Sequence, residues 1–512
     1  MSCRSISRRD FVAGSLLAGA SASACARPSV PGERPNIILC MGDDHGWHET
    51  GYNGHPHVRT PVLDEMAASG VRFDRFYAAA PVCSPTRGSV MTGRHPNRYG
   101  TFSANWSIRP EEISIAQILN AAGYACGHFG KWHLGPVKAG SPTNPGAFGF
   151  EEWLSHDNFF EMDPVLSRNG GTPQRYPGES SQIVVDAAKG FMDRARSEDR
   201  PFFVVIWFGS PHEPYSANAD DLAEYADLPA DLEKESARLT SLGTGLPTSL
   251  PLDQVLQARY AEITAMDRAL GDLREHLDAA GVRGNTLLWY CSDNGAPSEA
   301  TLGSPLRAHK GRVYEGGVRV PAVIEWPDRI PEATATEVAA VTSDILPTLC
   351  DVTGTALPDR PLDGTSLVGA IDGSLRERPE PICFWSFRGN QEGSGEPYLE
   401  PRLQQGTTPL VKQMAGLYTR NFRNFRYAGE ADGDLAGPRA VLDNRFKLVV
   451  DGEGREGADG SDGPVRELFD IREDSSEERD ISDQQPKQVA RLGAHLEQWQ
   501  RSVLRSLAAE DY

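Results

Sequence analysis

Three apolar runs in this chain stop abruptly in residues that do chemistry. Asn36-Ile37-Ile38-Leu39-Cys40-Met41 ends in Gly42-Asp43-Asp44, and Asn285–Cys291 ends in Ser292-Asp293-Asn294. Three carboxylates and an amide oxygen, if brought together, suit Ca²⁺ or Mg²⁺ far better than a thiolate-seeking metal. Taken pair by pair, Asp-Asp and Asp-Asn-Gly are ordinary turn chemistry after strands, and that is the better account of either pair alone. The third run, Pro201–Phe208, ends in Gly209-Ser210-Pro211-His212. A further cluster is Cys83-Ser84-Pro85-Thr86-Arg87-Gly88-Ser89, followed by Thr92-Gly93-Arg94. Its small residues suggest a helix start, where backbone N–H groups favour an anion. Arg87 would then lie one turn on, on the same face as the cysteine. A lone buried cysteine is otherwise more often structural than reactive.

The elements that must position these groups follow from the same runs. Apolar stretches without alternation suit strands buried on both faces of a mainly parallel sheet. Between them, Tyr260, Ile263, Met266, Leu270, Leu273 and Leu277 recur at helical spacing. Alternating strands and helices predict an α/β fold, a large mixed and mainly parallel sheet sandwiched by helices. Ligands would then sit at the carboxyl ends of the strands. From about residue 375 the pattern changes. Arg445–Val450 and Arg466–Asp470 flank a Gly/Asp-rich turn and read as a hairpin. The stripe Val489, Leu492, Leu496, Trp499, Val503 and Leu507 predicts a final helix packed on a smaller antiparallel sheet.

Acidic residues outnumber basic ones, 71 to 51, for a formal net charge of −20. That balance sets nucleic-acid binding aside, and an anionic substrate would need a local positive pocket. A chain of 512 residues with 39% hydrophobic and 24% charged residues reads as globular and loop-rich. At the N-terminus, Ser7-Arg8-Arg9-Asp10-Phe11 and the apolar run Phe11–Ala24 form a twin-arginine export pattern. The mature protein is therefore expected in the periplasm or outside the cell. Ala22-Ser23-Ala24 fits a cleavage site, and Cys25 would alternatively carry a lipid anchor. No later stretch reaches the ~18 apolar residues of a membrane span. Cys40, Cys83, Cys126, Cys291, Cys350 and Cys383 are scattered and suggest neither a disulfide scaffold nor a zinc site.

Cys83-x-Pro85-x-Arg87 followed by Thr92-Gly93-Arg94 resembles the signature of type I sulfatases, in the alkaline phosphatase-like superfamily. In that family the cysteine is oxidised to Cα-formylglycine. Gly123-Tyr124 with Gly130–Gly135, Ser210-Pro211-His212, Lys310–Gly317 and Thr342–Gly354 are similar to further family stretches, in order from about Pro35 to about Asp480. The resemblance implies a calcium-dependent sulfuric ester hydrolase. Its Ca²⁺ would be held by Asp43, Asp44, Asp293 and Asn294 with the oxidised Cys83. The hydrated aldehyde would attack sulfur through one hydroxyl, and Asp293 would take that hydroxyl's proton. His212, with Lys310, would protonate the leaving alcohol, and His133 would remove the second hydroxyl's proton. Arg87, Lys131 and Lys310 would supply fixed positive charge, with Lys131, His212 and Lys310 touching the substrate. A formylglycine-generating enzyme would be a partner during maturation, and the substrate would be a sulfated small molecule or glycan. The implied organisation is an export signal at 1–26, a catalytic α/β domain at 34–375 and a C-terminal subdomain at 376–512.

The chain departs from the family around Ser386–Pro438, a long insertion that holds Arg420-Asn421-Phe422-Arg423-Asn424-Phe425-Arg426-Tyr427. Arginines interleaved with aromatics would stack on sugar rings and pair with additional sulfates, or would form a surface loop anchored by its rings. Two other functions fit the same fold, a phosphate or phosphonate monoester hydrolase and a non-catalytic sulfated-glycan-binding protein. A binding module has no need of proton-transfer groups around Cys83, which argues against the second. The remaining histidines near these stretches, among them His45, His48, His55, His95 and His128, read as polar loop residues around a pocket.

Overall fold

The central runs lack alternation because both of their faces are covered. Ile37, Leu39 and Met41 enter one apolar core with Phe203, Val205, Trp207, Leu287 and Trp289. Ile38 and Cys40 enter a second core with Val204, Ile206, Leu288 and Tyr290. The computed structural model describes residues 34–387, 396–409, 420–431, 433–453 and 464–512. The expected export signal and Cys25 lie outside the described residues.

Asn36–Gly42 occupies the middle of a ten-stranded sheet. Thr286–Ser292 pairs with it in parallel on one side and Phe202–Trp207 on the other. Ala125–Lys131 and then Glu152–His156 continue the parallel part beyond Phe202–Trp207. Antiparallel pairing appears only toward the edges, where Ala322–Glu325 lies against Thr286–Ser292 and Val165–Arg168 against Glu152–His156. Helices cover both faces. Ser180–Ser197 and Leu252–Ala279 close the second core through Val184, Phe191, Met266, Leu270, Leu273 and Leu277. Cys83–Thr92, Ile115–Ala121 and Ile345–Thr353 close the first through Val90, Met91, Leu119 and Leu349. This is the mixed, mainly parallel, helix-covered sheet expected from the sequence.

The late segments form a separate four-stranded antiparallel sheet, Ile382–Trp385, Arg439–Leu442, Phe446–Val450 and Arg466–Asp470. The final helix, Pro486–Leu507, divides its apolar stripe between two surroundings. Leu492 and Leu496 pack on that sheet with Val441, Leu448 and Leu468. Val503, Leu504 and Leu507 pack instead with Phe102, Trp106, Trp385 and Phe387, against which Phe425 and Tyr427 of the insertion are also set. Several histidines expected on loops are buried, and His128 lies inside the strand Ala125–Lys131 with no exposure.

One glycine of the sheet is a steric requirement. Gly130 has φ +106°, and a Cβ placed there would lie 1.9 Å from the Trp207 carbonyl oxygen of the neighbouring strand. Neither the backbone angle nor the contact tolerates a side chain. Gly130→Ala should lower the unfolding free energy by roughly 2–4 kcal/mol, read by denaturant titration.

Candidate active site

Strand register brings the chemistry to one rim. Gly42 pairs with Ser292, Met41 with Trp207, and Gly130 with Trp207, so four strands end nearly level. The residues that follow are Asp43-Asp44, Asp293-Asn294, the 208–212 turn and Lys131 to His133. The carboxyl ends of parallel strands are where an α/β sheet presents a site. The helix Cys83–Thr92 begins at Cys83, as expected, and all ten of its residues are buried. Arg87, one turn on, donates to Asp293 Oδ2 from Nη2 (2.6 Å) and Nε (3.1 Å), and from Nη1 to the Lys131 carbonyl (3.1 Å).

The other charges pair just as closely. Lys131 Nζ lies 2.6 Å from Asp43 Oδ2, and Lys310 Nζ lies 2.7 Å from Asp44 Oδ2. Asn294 Nδ2 donates to Asp44 Oδ1 (2.8 Å), and the Asp44 amide donates to Asp293 Oδ1 (3.0 Å). His212 Nε2 stands 3.7 Å from Asp44 Oδ2, its ring stacked on Phe159 at 4.6 Å. His133 Nε2 lies 3.3 Å from Asn105 Oδ1. All ten residues named from sequence (Asp43, Asp44, Cys83, Arg87, Lys131, His133, His212, Asp293, Asn294, Lys310) therefore gather around this rim. Arg87, Lys131 and Asp43 have no side-chain exposure, whereas Lys310 keeps 23% and His212 11%. Solvent reaches the rim from the Lys310–His212 side.

Two buried acceptors, Asp43 Oδ1 and Asn294 Oδ1, have no hydrogen-bond donor among the described residues. Orphan oxygens beside two further carboxylates fit a hard, oxygen-seeking cation such as Ca²⁺. Ligand atoms of Asp43, Asp44 and His212 lie within 4.8 Å of one another. That grouping puts His212, expected in proton transfer, beside the candidate metal carboxylates, while Asp293 Oδ2 is turned toward Arg87.

Burial dominates the proton affinities. It lifts Asp293 to about 6, reinforced by Asp43 and opposed by Arg87 and Lys131. It pushes the Cys83 thiol up, against the pull of Lys131 and Lys310, so the cysteine as encoded is held as a thiol. Burial lowers His212 to about 3, Asp44 pulling the other way, and drives His133 well down with help from Lys131 and Arg87. Both imidazoles are therefore neutral.

Sequence reasoning missed the buried pair beneath this rim. Arg259 grips Glu49 with Nε to Oε1 and Nη2 to Oε2, both 2.6 Å. The same guanidinium donates to the carbonyls of Asp44 (2.6 Å) and Pro211 (2.7 Å). It thus ties the Asp44 turn to the His212 turn from below. The available signal was placement. Arg259 precedes Ile263 by four residues and Met266 by seven, which puts a charge on the buried stripe of its helix. Asn105, which meets His133 with φ 64°, carried no such signal.

The chain matches the sulfatase family model over residues 35–355. It is 32% identical over 408 residues to arylsulfatase A of Homo sapiens, covering 72% of this chain and 73% of that protein. It is 30% identical over 415 residues to N-acetylgalactosamine-6-sulfatase of Canis lupus familiaris, covering 73% and 72%. Among solved structures, Ps i-CgsB in complex with k-i-k-neocarrahexaose shares the fold. Its TM-score is 0.70 at 23% identity, over 91% of this chain and 93% of that one.

The Arg259–Glu49 pair gives a stability test. Burial would raise the Glu49 carboxyl, but Arg259 overrides it and holds it at about 2, below the usual 4.5. A group so depressed contributes stability that is whole above 4.5 and is lost as pH falls toward about 2. Arg259→Met leaves a buried carboxylate unpaired and should cost roughly 3–5 kcal/mol. Adding Glu49→Gln should restore part of that loss. Denaturant unfolding at neutral pH, repeated at falling pH, checks both the size and the sign.

Proposed function

Because the chain belongs to the sulfatase family and is a sulfuric ester hydrolase, we propose that it is an exported, calcium-dependent sulfatase acting on a sulfated carbohydrate. In this reading Cys83, oxidised to formylglycine, is the nucleophile. The observation that carries it is the buried array at the helix start of Cys83, where Arg87, Lys131 and Lys310 each lie on a carboxylate of the rim. Fixed cations and carboxylates in one dry site are what a sulfate ester requires, since its sulfur is shielded by negative oxygens. The carbohydrate part draws support from relatives named N-acetylgalactosamine-6-sulfatase, and export from the twin arginines at Arg8-Arg9.

Formylglycine at position 83 would supply, as its hydrate, a hydroxyl nucleophile and a second hydroxyl whose deprotonation would release sulfate. Asp43, Asp44, Asp293 and Asn294 would hold Ca²⁺, which adds positive charge where the sulfate oxygens lie. Asp293, whose burial beside Asp43 strengthens its hold on a proton, would accept the attacking hydroxyl's proton. Arg87 holds its Oδ2 in place. Lys310 Nζ and His212 Nε2, both facing Asp44 Oδ2, stand at the solvent side where the leaving alcohol must depart. An anionic substrate beside them raises their hold on a proton, and one of them delivers it to the alcohol oxygen. His133, neutral and braced by Asn105, takes the proton whose removal frees sulfate.

Peptide mass spectrometry across Cys83, on protein from the native host, should find a loss of roughly 18 Da relative to the thiol. Cys83→Ala should reduce hydrolysis of a sulfate ester by a factor on the order of 10³ or more. Faster turnover of a matched phosphate monoester would favour the phosphate reading. A persistent thiol with sulfated-glycan binding but no sulfate release would favour a binding protein.

A further inference from the structure

The three arginines of the arginine–aromatic strip do not share one environment. Arg423 and Arg426 are exposed, whereas Arg420 is half-buried. Backbone hydrogen bonds fix its segment. Gly406 N donates to the Arg420 carbonyl (2.9 Å), Phe422 N to Gln404 O (2.9 Å) and Arg423 N to Asn105 O (2.8 Å). Ser107 N in turn donates to the Arg423 carbonyl (2.9 Å). Phe422 is buried, its ring edge-on to His133 with centroids 6.4 Å apart. Arg420, two residues earlier, lies within electrostatic reach of Cys83, Glu213 and His133.

Its charge is uncommitted. Arg87, Lys131 and Lys310 each hold a carboxylate, but the Arg420 guanidinium makes no hydrogen bond or ion pair with another described residue. Glu213, the acid it faces, is occupied by Thr240, whose amide (2.7 Å) and hydroxyl (3.1 Å) donate to it. A half-buried guanidinium without a partner is an unfavourable arrangement unless an anion arrives to fill its fork. The cleaved sulfate belongs among Asp43, Asp44 and the lysines. The Arg420 charge acts on Cys83, Glu213 and His133, none of which it is bonded to.

We propose that Arg420 forms a second anion position beside the reaction pocket, so that the preferred substrate is a carbohydrate sulfate bearing a further sulfate or a carboxylate next to the ester that is cleaved. This rests on the sulfatase reading above.

The test compares wild type, Arg420→Ala and Arg420→Lys on three probes. These are N-acetylgalactosamine-6-sulfate, its disulfated counterpart, and a disaccharide joining the monosulfate to a uronic acid. Arg420→Ala should lose about 10- to 100-fold in kcat/KM on a doubly anionic probe beyond any loss on the monosulfate, mainly through KM. Arg420→Lys should recover part of it. Which doubly anionic probe shows the effect separates sulfate from carboxylate. Equal losses on all three probes, or no loss on any, would overturn the proposal. Calorimetric binding of the same probes to Cys83→Ala, with and without Arg420→Ala, keeps the two readings apart. A selective loss of binding without hydrolysis in wild type would sink the sulfatase reading and uphold the anion position, and unselective binding would sink the latter.

Discussion

Three carboxylates buried at the ends of neighbouring strands cannot all stay ionised without cations beside them, and the architecture of the rim follows from that constraint. Asp43, Asp44 and Asp293 are each met by a different positive side chain, and each of these comes from a different element. Lys131 closes a strand, Arg87 belongs to the Cys83 helix and Lys310 to a loop after the Asp293 strand. Parallel pairing supplies the level strand ends, and the charges lock them. At the low effective dielectric of such a site, removing one partner strands the other. The same charges that would act on a sulfate ester are therefore also the ones that let the site exist.

The layer below repeats this logic with the backbone. Arg259 has no exposure, and its five donors are spent on Glu49, two carbonyls and the Tyr215 hydroxyl. A lysine has neither the fork nor the reach to make that set. Asp44, with φ 65°, sits in a conformation that non-glycine residues seldom adopt. Its carbonyl bond to Arg259 and its amide bond to Asp293 hold it there. The orientation of a carboxylate on the rim is in this way decided by a helix residue far away in the chain.

Much of this was legible in the sequence. The apolar runs named their strands because full burial leaves no polar alternation, and the polar residues after each run marked the rim. What stayed hidden was pairing. Sequence spacing shows that Arg87 lies one turn from Cys83, but not that it reaches a strand two hundred residues later. The final helix was legible as an amphipathic element, yet only the structure divides its stripe between the small sheet and the Phe102–Trp106 cluster. The insertion read as one arginine–aromatic strip. Its aromatics anchor it, while Arg420 is half-buried with its charge acting on Cys83.

The depth of Cys83 bears on when the protein is made competent. The residue is 2% exposed, and every residue of its helix is buried. An enzyme that modifies the cysteine would therefore need the segment before it is buried. Under the proposed maturation, oxidation and folding are competitors in time, and a chain that folds first is trapped as an inert thiol. A twin-arginine route, which carries folded chains, would then impose an order of events: modification, folding, export. The yield of active enzyme in a foreign host would be governed by that race rather than by stability.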